Sequence, residues 1–236
     1  MNDVLGFVIV FAIVVTMIGL TFAAGFSGLQ DVRDAGRVNN AERAFELLRN
    51  DIADSTDRGA PSRTTEITLS GGRLSFGDPV RITVSEAAGG FNTTRTIEPI
   101  VYHSGTGTRI VYAAGAILRG QRVGGTVRHP PGFVLSAERT VIPIVETRND
   151  DSGAVAGDGT VLVRTTVDRR EILYANEADP VTLWVNLTTP RARAWHDHLG
   201  DRDDVACEPA SSGEVACRVT THRAYVTRVT VNATFV

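Results

Sequence analysis

The sequence predicts an α+β protein: a long N-terminal α-helix of transmembrane type, followed by a mainly antiparallel β-sandwich or small β-barrel. Two observations carry that expectation. Val4–Gln30 contains no charged residue, and at ~1.5 Å per residue such a helix reaches about 40 Å, more than the ~30 Å hydrocarbon core of a bilayer. Beyond Ser62 the texture changes to short Val-, Ile- and Thr-rich runs between Gly clusters, the pattern of half-buried strands joined by turns.

Three segments follow from this: a hydrophobic membrane or filament-core helix over 1–30, an amphipathic continuation over 31–58, and a β-rich domain over 59–236. In the first, Val8, Ile9, Phe11, Ile13, Val14, Val15, Met17 and Ile18 cover every helical face, leaving no side for water. In the second, Val38, Ala41, Phe45, Leu48 and Ile52 recur at steps of three and four, while Glu42, Arg43, Glu46 and Arg49 form a charged face with a Glu46/Arg49 pair. Gly59 suits a C-cap and Pro61 cannot continue the helix, so it ends there.

The strands are expected at Thr65–Ser70, Arg73–Phe76, Arg81–Ser85, Thr94–His103, Arg109–Ala114, Thr140–Thr147, Thr160–Val167, Val181–Thr188 and Arg218–Phe235. A clean period of two in Val181, Leu183, Val185 and Leu187 marks one buried face. One interruption reads as a helix over Thr189–Gly200, with Thr189 as N-cap, Pro190 at the first position, and Trp195 and Leu199 facing the sheet. Gly105-Thr106-Gly107 and Gly124-Gly125 lack the following Lys or helix of a phosphate loop and read as hairpin turns.

Composition excludes one large class of function. All 24 basic residues are Arg, they are dispersed among 27 acids, and the net charge is -3, so no nucleic-acid footprint exists. Cys207 and Cys217 flank a segment with Pro209 and Ser211-Ser212-Gly213, so a turn would set the two cysteines opposite one another and Val205 opposite Val219. A disulfide there would contribute roughly 3 kcal/mol in the chain-entropy model and requires an oxidising compartment. Three N-x-T sequons, at Asn92, Asn186 and Asn232, are candidate glycosylation sites. Arg33 and Arg37 follow the apolar run while Asp3 precedes it, an order that by the positive-inside rule would keep the domain in the cytoplasm, against the disulfide and the sequons.

No catalytic, cofactor-binding or metal-ligating set emerges. His196 and His198 stand two apart and diverge on a helix, no Ser sits in a G-x-S-x-G elbow, and His103, His129 and His222 lack a neighbouring nucleophile. Trp184 and Trp195 would serve either as a ligand-groove border or as core and strand-face packing.

Asn2-Asp3-Val4-Leu5-Gly6-Phe7-Val8, the apolar run and Gly28-Leu29-Gln30-Asp31 resemble the N-termini of haloarchaeal type IV pilin-like proteins. Asn39–Phe45, Gly59–Arg63 and the Pro190–Trp195 helix are similar to an uncharacterised haloarchaeal family with such an N-terminus, and the all-Arg basic set is also like salt-adapted archaeal usage. The resemblance implies a short basic leader cut before the helix, although no basic residue stands before Val4 here. It further implies a non-enzymatic structural protein of the cell surface, anchored in membrane lipid or assembled with copies of itself or other pilin-like subunits, with its main domain outside. On that reading Asp3, Gly6, Phe7, Phe11, Val14, Ile18, Gly19, Gly25 and Gly28 carry assembly or anchoring, the glycines by allowing close approach. The alternative is a monomeric membrane-anchored binding module contacting envelope protein or glycan.

Overall fold

The computed structural model describes the backbone of residues 2–150 and 153–236, with side chains for all of these except 2–5, 23–29 and 57. In chain order, α1 (Asn2–Asp57) leads into β1 (Ser62–Thr68), β2 (Gly72–Phe76), β3 (Val80–Glu86), β4 (Asn92–Ile97), β5 (Ile100–His103) and β6 (Arg109–Ala113). Next come β7 (Ala116–Gly120), β8 (Thr126–His129), β9 (Val134–Leu135), β10 (Arg139–Asn149), β11 (Val155–Gly157) and β12 (Thr160–Asn176). The chain finishes with β13 (Val181–Thr188), α2 (Ala192–Gly200), β14 (Val205–Cys207), β15 (Glu214–Thr221) and β16 (Arg223–Phe235). It divides into two compact units, Met1–Asn39 and Asn40–Val236.

The expected fold is corrected in two respects. Among the described residues no helix is long and apolar enough to cross a membrane. α1 runs on from its apolar stretch into charged residues from Asp31 onward. Nor is the β region a two-sheet sandwich or a small barrel. It forms three sheets, ordered β1-β12-β16-β10-β9, β11-β2-β5-β6-β7-β8 and β14-β15-β13-β3-β4.

Two breaks that the residue pattern hid create the extra sheet. The run from Thr94 to His103 reads as one strand, but Pro99 cannot donate to a ladder. The chain therefore leaves β4 at Ile97 and re-enters a different sheet as β5 at Ile100. The run from Arg218 to Phe235 is likewise cut at His222, whose amide donates to Ala137 O at 2.9 Å, so that β15 and β16 belong to different sheets. Pairing is antiparallel throughout the three sheets except for β10 alongside β16.

The core of the Asn40–Val236 unit follows the alternation. Val181, Leu183, Val185 and Leu187 of β13 are buried, together with Ile82 and Val84 of β3 and Val215, Cys217 and Val219 of β15. α2 begins at Ala192 rather than at Pro190, with Arg191 as its N-cap and no capping bond from a side chain. Thr189 Oγ1 instead accepts from the Arg191 amide at 3.3 Å. Trp195 and Leu199 nonetheless seat the helix in the core as the spacing predicts. On the C-terminal part of α1, Ala41, Phe45, Leu48 and Ile52 are buried as the stripe predicts, and Gly59 terminates the helix at φ +80.

Candidate functional site

The N-terminal unit presents an unusual surface. Phe7, Phe11, Val14 and Ile18 recur along one side of α1, while Val8, Ile9, Val10, Ile13, Val15, Met17, Leu20 and Phe22 cover the others. All are exposed, Phe7 at 71 % and Phe22 at 74 %. The Phe7 and Phe11 rings stack with centroids 6.3 Å apart. The hydroxyls in this stretch are turned inward: Thr16 Oγ1 donates to Ala12 O and Thr21 Oγ1 to Met17 O, each at 2.8 Å. The helix thus shows hydrocarbon on all sides. A methyl added at Gly6 or Gly19 would meet nothing within 4 Å, so in the single chain these glycines are open notches. Asp3, Gly25 and Gly28 lie on α1 outside the described side-chain positions.

In the second unit the C-terminal part of α1 is fixed by ionic bonds that sequence reasoning missed. Glu42, only 6 % exposed, accepts from Arg128 Nε at 2.7 Å and from Arg119 Nη1 at 2.8 Å. Burial pushes its carboxyl up, but the bonds from Arg128 and Arg119 outweigh that and hold it below the ordinary range. Arg49 does not pair with Glu46. It donates to Gly115 O at 3.1 Å and Pro130 O at 3.0 Å, whereas Glu46 meets His129 Nε2 at 2.8 Å. The potential ligand atoms of Glu42, Glu46 and His129 lie within 4.8 Å of one another, a spacing that could hold a cation. Both Glu42 oxygens are already taken by guanidiniums and His129 Nε2 by Glu46, so the set acts as an ion-paired clamp.

A second ionic set is centred on Glu146 of β10, 3 % exposed, which binds Arg228 at 2.8 Å and Arg148 at 2.6 Å. Arg228 also reaches Glu171 at 3.0 Å. Arg228 and Glu171 border a cleft of about 370 Å³ whose apolar wall includes Ile52, Tyr112, Val145 and Val229. Apart from Glu146 and Arg148, two apart on β10, the partners are far apart in sequence: α1 meets β7 and β8 in the first set, and β10, β12 and β16 bring the second together within one sheet.

The remaining predicted positions are scattered. Cys207 and Cys217 are joined by a disulfide and sit in register on β14 and β15, with Val205 opposite Val219. Asn92 is exposed at the start of the edge strand β4, while Asn186 and Asn232 are half-buried on the interior strands β13 and β16. The acidic loop near α2 is used for tethering: Asp204 accepts from the Ala137 amide at 3.0 Å, and Arg202 donates to Phe133 O at 3.1 Å. Trp195 is a core residue beside Phe133, and Trp184 lies under Arg218. Gly107 and Gly124 turn hairpins at positive φ.

The sequence model of DUF7289, a family of unknown function, matches residues 1–234. The chain belongs to the DUF7289 family. Comparison with curated proteins and with solved structures finds no match. In this DUF7289 chain, the features available for function are the apolar surface of the N-terminal unit and the clefts of the β-rich unit.

Proposed function

We propose that this chain is a structural, pilin-like subunit of a cell-surface assembly, held there by packing of its N-terminal helix against the helices of other copies. The observation that carries this reading is the exposure of large apolar side chains on every side of residues 7–22. Soluble monomers rarely leave contiguous apolar surface of this kind uncovered. A helix that is apolar all round belongs inside a bundle or other apolar surroundings. Open notches at Gly6 and Gly19 suit close backbone approach, and inward-turned threonines leave few polar groups to desolvate. The Cys207–Cys217 disulfide supports display of the β-rich unit in an oxidising, extracellular setting. The resemblance of the N-terminus to pilin-like proteins points the same way.

The test is fractionation of source cells by mechanical shear, with the chain followed by immunoblot. Recovery in the sheared, sedimentable fraction is expected, and Val14→Arg should abolish it by placing a charge in the packed helix bundle. Recovery as a monomer that stays with the cells, unaffected by Val14→Arg, would contradict assembly and favour a monomeric binding module.

A further inference from the structure

The six-stranded sheet carries a row of basic side chains. Register sets Arg73 of β2 opposite His103 of β5, and His103 opposite Arg109 of β6. Residues opposed across a ladder share one face, so the three stand side by side on strands ~4.8 Å apart. Gly120 of β7 comes next in the row, and a methyl there would meet Gly125 Cα at 2.5 Å. Arg122, from the β7–β8 turn, and Arg191, from the segment before α2, complete one wall of a cleft of about 670 Å³.

Among the described residues this arrangement is short of counter-charge. Among the described lining residues four arginines face a single carboxylate, Asp78, and none of the four forms a described ion pair. Arg191 is only 8 % exposed; its Nη2 donates to Gln121 O at 3.1 Å, but its buried Nε has no partner. A buried guanidinium with an orphaned N–H is expensive, and burial first and then the neighbouring Arg109 disfavour the charge on Arg191. The unbalanced charge of the cleft is offset by a partner that the described residues do not supply.

We propose that this cleft binds a tetrahedral oxyanion, phosphate or sulfate, either free or ester-linked to a small organic body. Arginines line the cleft from β2, β6, the β7–β8 turn and the approach to α2, more directions than a flat carboxylate with two oxygens can satisfy. The surplus of four arginines over one aspartate suits a dianion. The cleft is far larger than a bare phosphate, which leaves room for an attached group. Ser75 Oγ lies 3.3 Å from His103 Nε2 and orients the imidazole in the row. Burial, then Arg109, Arg73 and Arg191, hold His103 below its ordinary range. A bound dianion reverses that field and draws a proton onto the ring.

The experiment is calorimetric titration of the full chain in nonionic detergent with inorganic phosphate and, separately, with glucose 6-phosphate, using glucose as the neutral control. Saturable binding is expected, weakened at least tenfold by Arg109→Gln and by Arg73→Gln but not by Arg218→Gln, which lies outside the cleft. Saturation by inorganic phosphate assigns the free ion; saturation by glucose 6-phosphate alone assigns the ester. Without anion, Arg109→Gln should raise the melting temperature by relieving repulsion, whereas a purely structural arginine would lower it. NMR titration of His103 should move upward on phosphate addition. No saturable binding of either probe, binding indifferent to Arg109→Gln, or an unmoved His103 titration overturns the proposal.

Discussion

Replacing both cysteines by alanine tests how the C-terminal hairpin is held. Cys207 and Cys217 are 10 residues apart in sequence, and closing a loop of that size removes about 9 cal/mol/K from the unfolded ensemble in the chain-entropy model, or roughly 3 kcal/mol at 25 °C. The bond joins β14, an edge strand of three residues, to β15. Cys217 is 1 % exposed in the same core cluster as Trp195 and Leu199 of α2. Alanine rather than serine avoids burying a hydroxyl there. For a unit of this size each kcal/mol shifts the melting temperature by about 2–4 °C, so Cys207→Ala/Cys217→Ala should melt roughly 6–12 °C lower. The assay is thermal unfolding of parent and variant with and without reductant. Reductant should lower the parent toward the variant and leave the variant unchanged. Equal melting of the two proteins, or an equal response to reductant, would refute the loop-closure argument.

Two further outcomes probe the packing of α1 in the β-rich unit. Leu48→Ala removes a side chain that is 0 % exposed and should cost about 2–5 kcal/mol in chemical denaturation; a change within 0.5 kcal/mol would show that the buried stripe does not anchor the helix. Glu42 has a folded pKa depressed below the ordinary value of 4.5, so its stabilisation is fully present above about pH 4.5 and is lost as pH falls through the folded pKa. Stability measured from pH 7 to pH 3 should therefore fall less steeply in Glu42→Gln than in the parent, and an unchanged acid limb would remove the clamp from the account.

Local signals carried much of the fold. The three- and four-residue steps from Ala41 to Ile52 find the buried face of α1, the alternation in β13 gives its bounds, and the cysteine spacing gives the β14–β15 register. What failed depends on partners distant in sequence. Pro99 and His222 each send the chain to a new sheet, which no periodicity of the flanking residues reveals. β7 was missed because Ala113-Ala114-Gly115-Ala116 lacks β-branched residues, yet Ala114 and Gly115, at φ 51 and 81, form a tight two-residue hairpin turn. The basic row was equally silent, since Arg73, His103 and Arg109 become neighbours only through the β2–β5–β6 register. The exposed helix surface was the most legible feature, because apolar residues on every helical face need no tertiary information to be read.

The central claim is that residues 7–22 are covered by other copies of the same helix. Cysteine crosslinking in intact source cells tests it most directly, using Ile18→Cys in a Cys207→Ala/Cys217→Ala background and Val123→Cys, exposed on the β-rich unit, as the comparison. The account predicts chain-to-chain adducts at Ile18→Cys and few at Val123→Cys. Absence of adducts at Ile18→Cys, and at Phe11→Cys and Phe22→Cys on other parts of the helix, would contradict it.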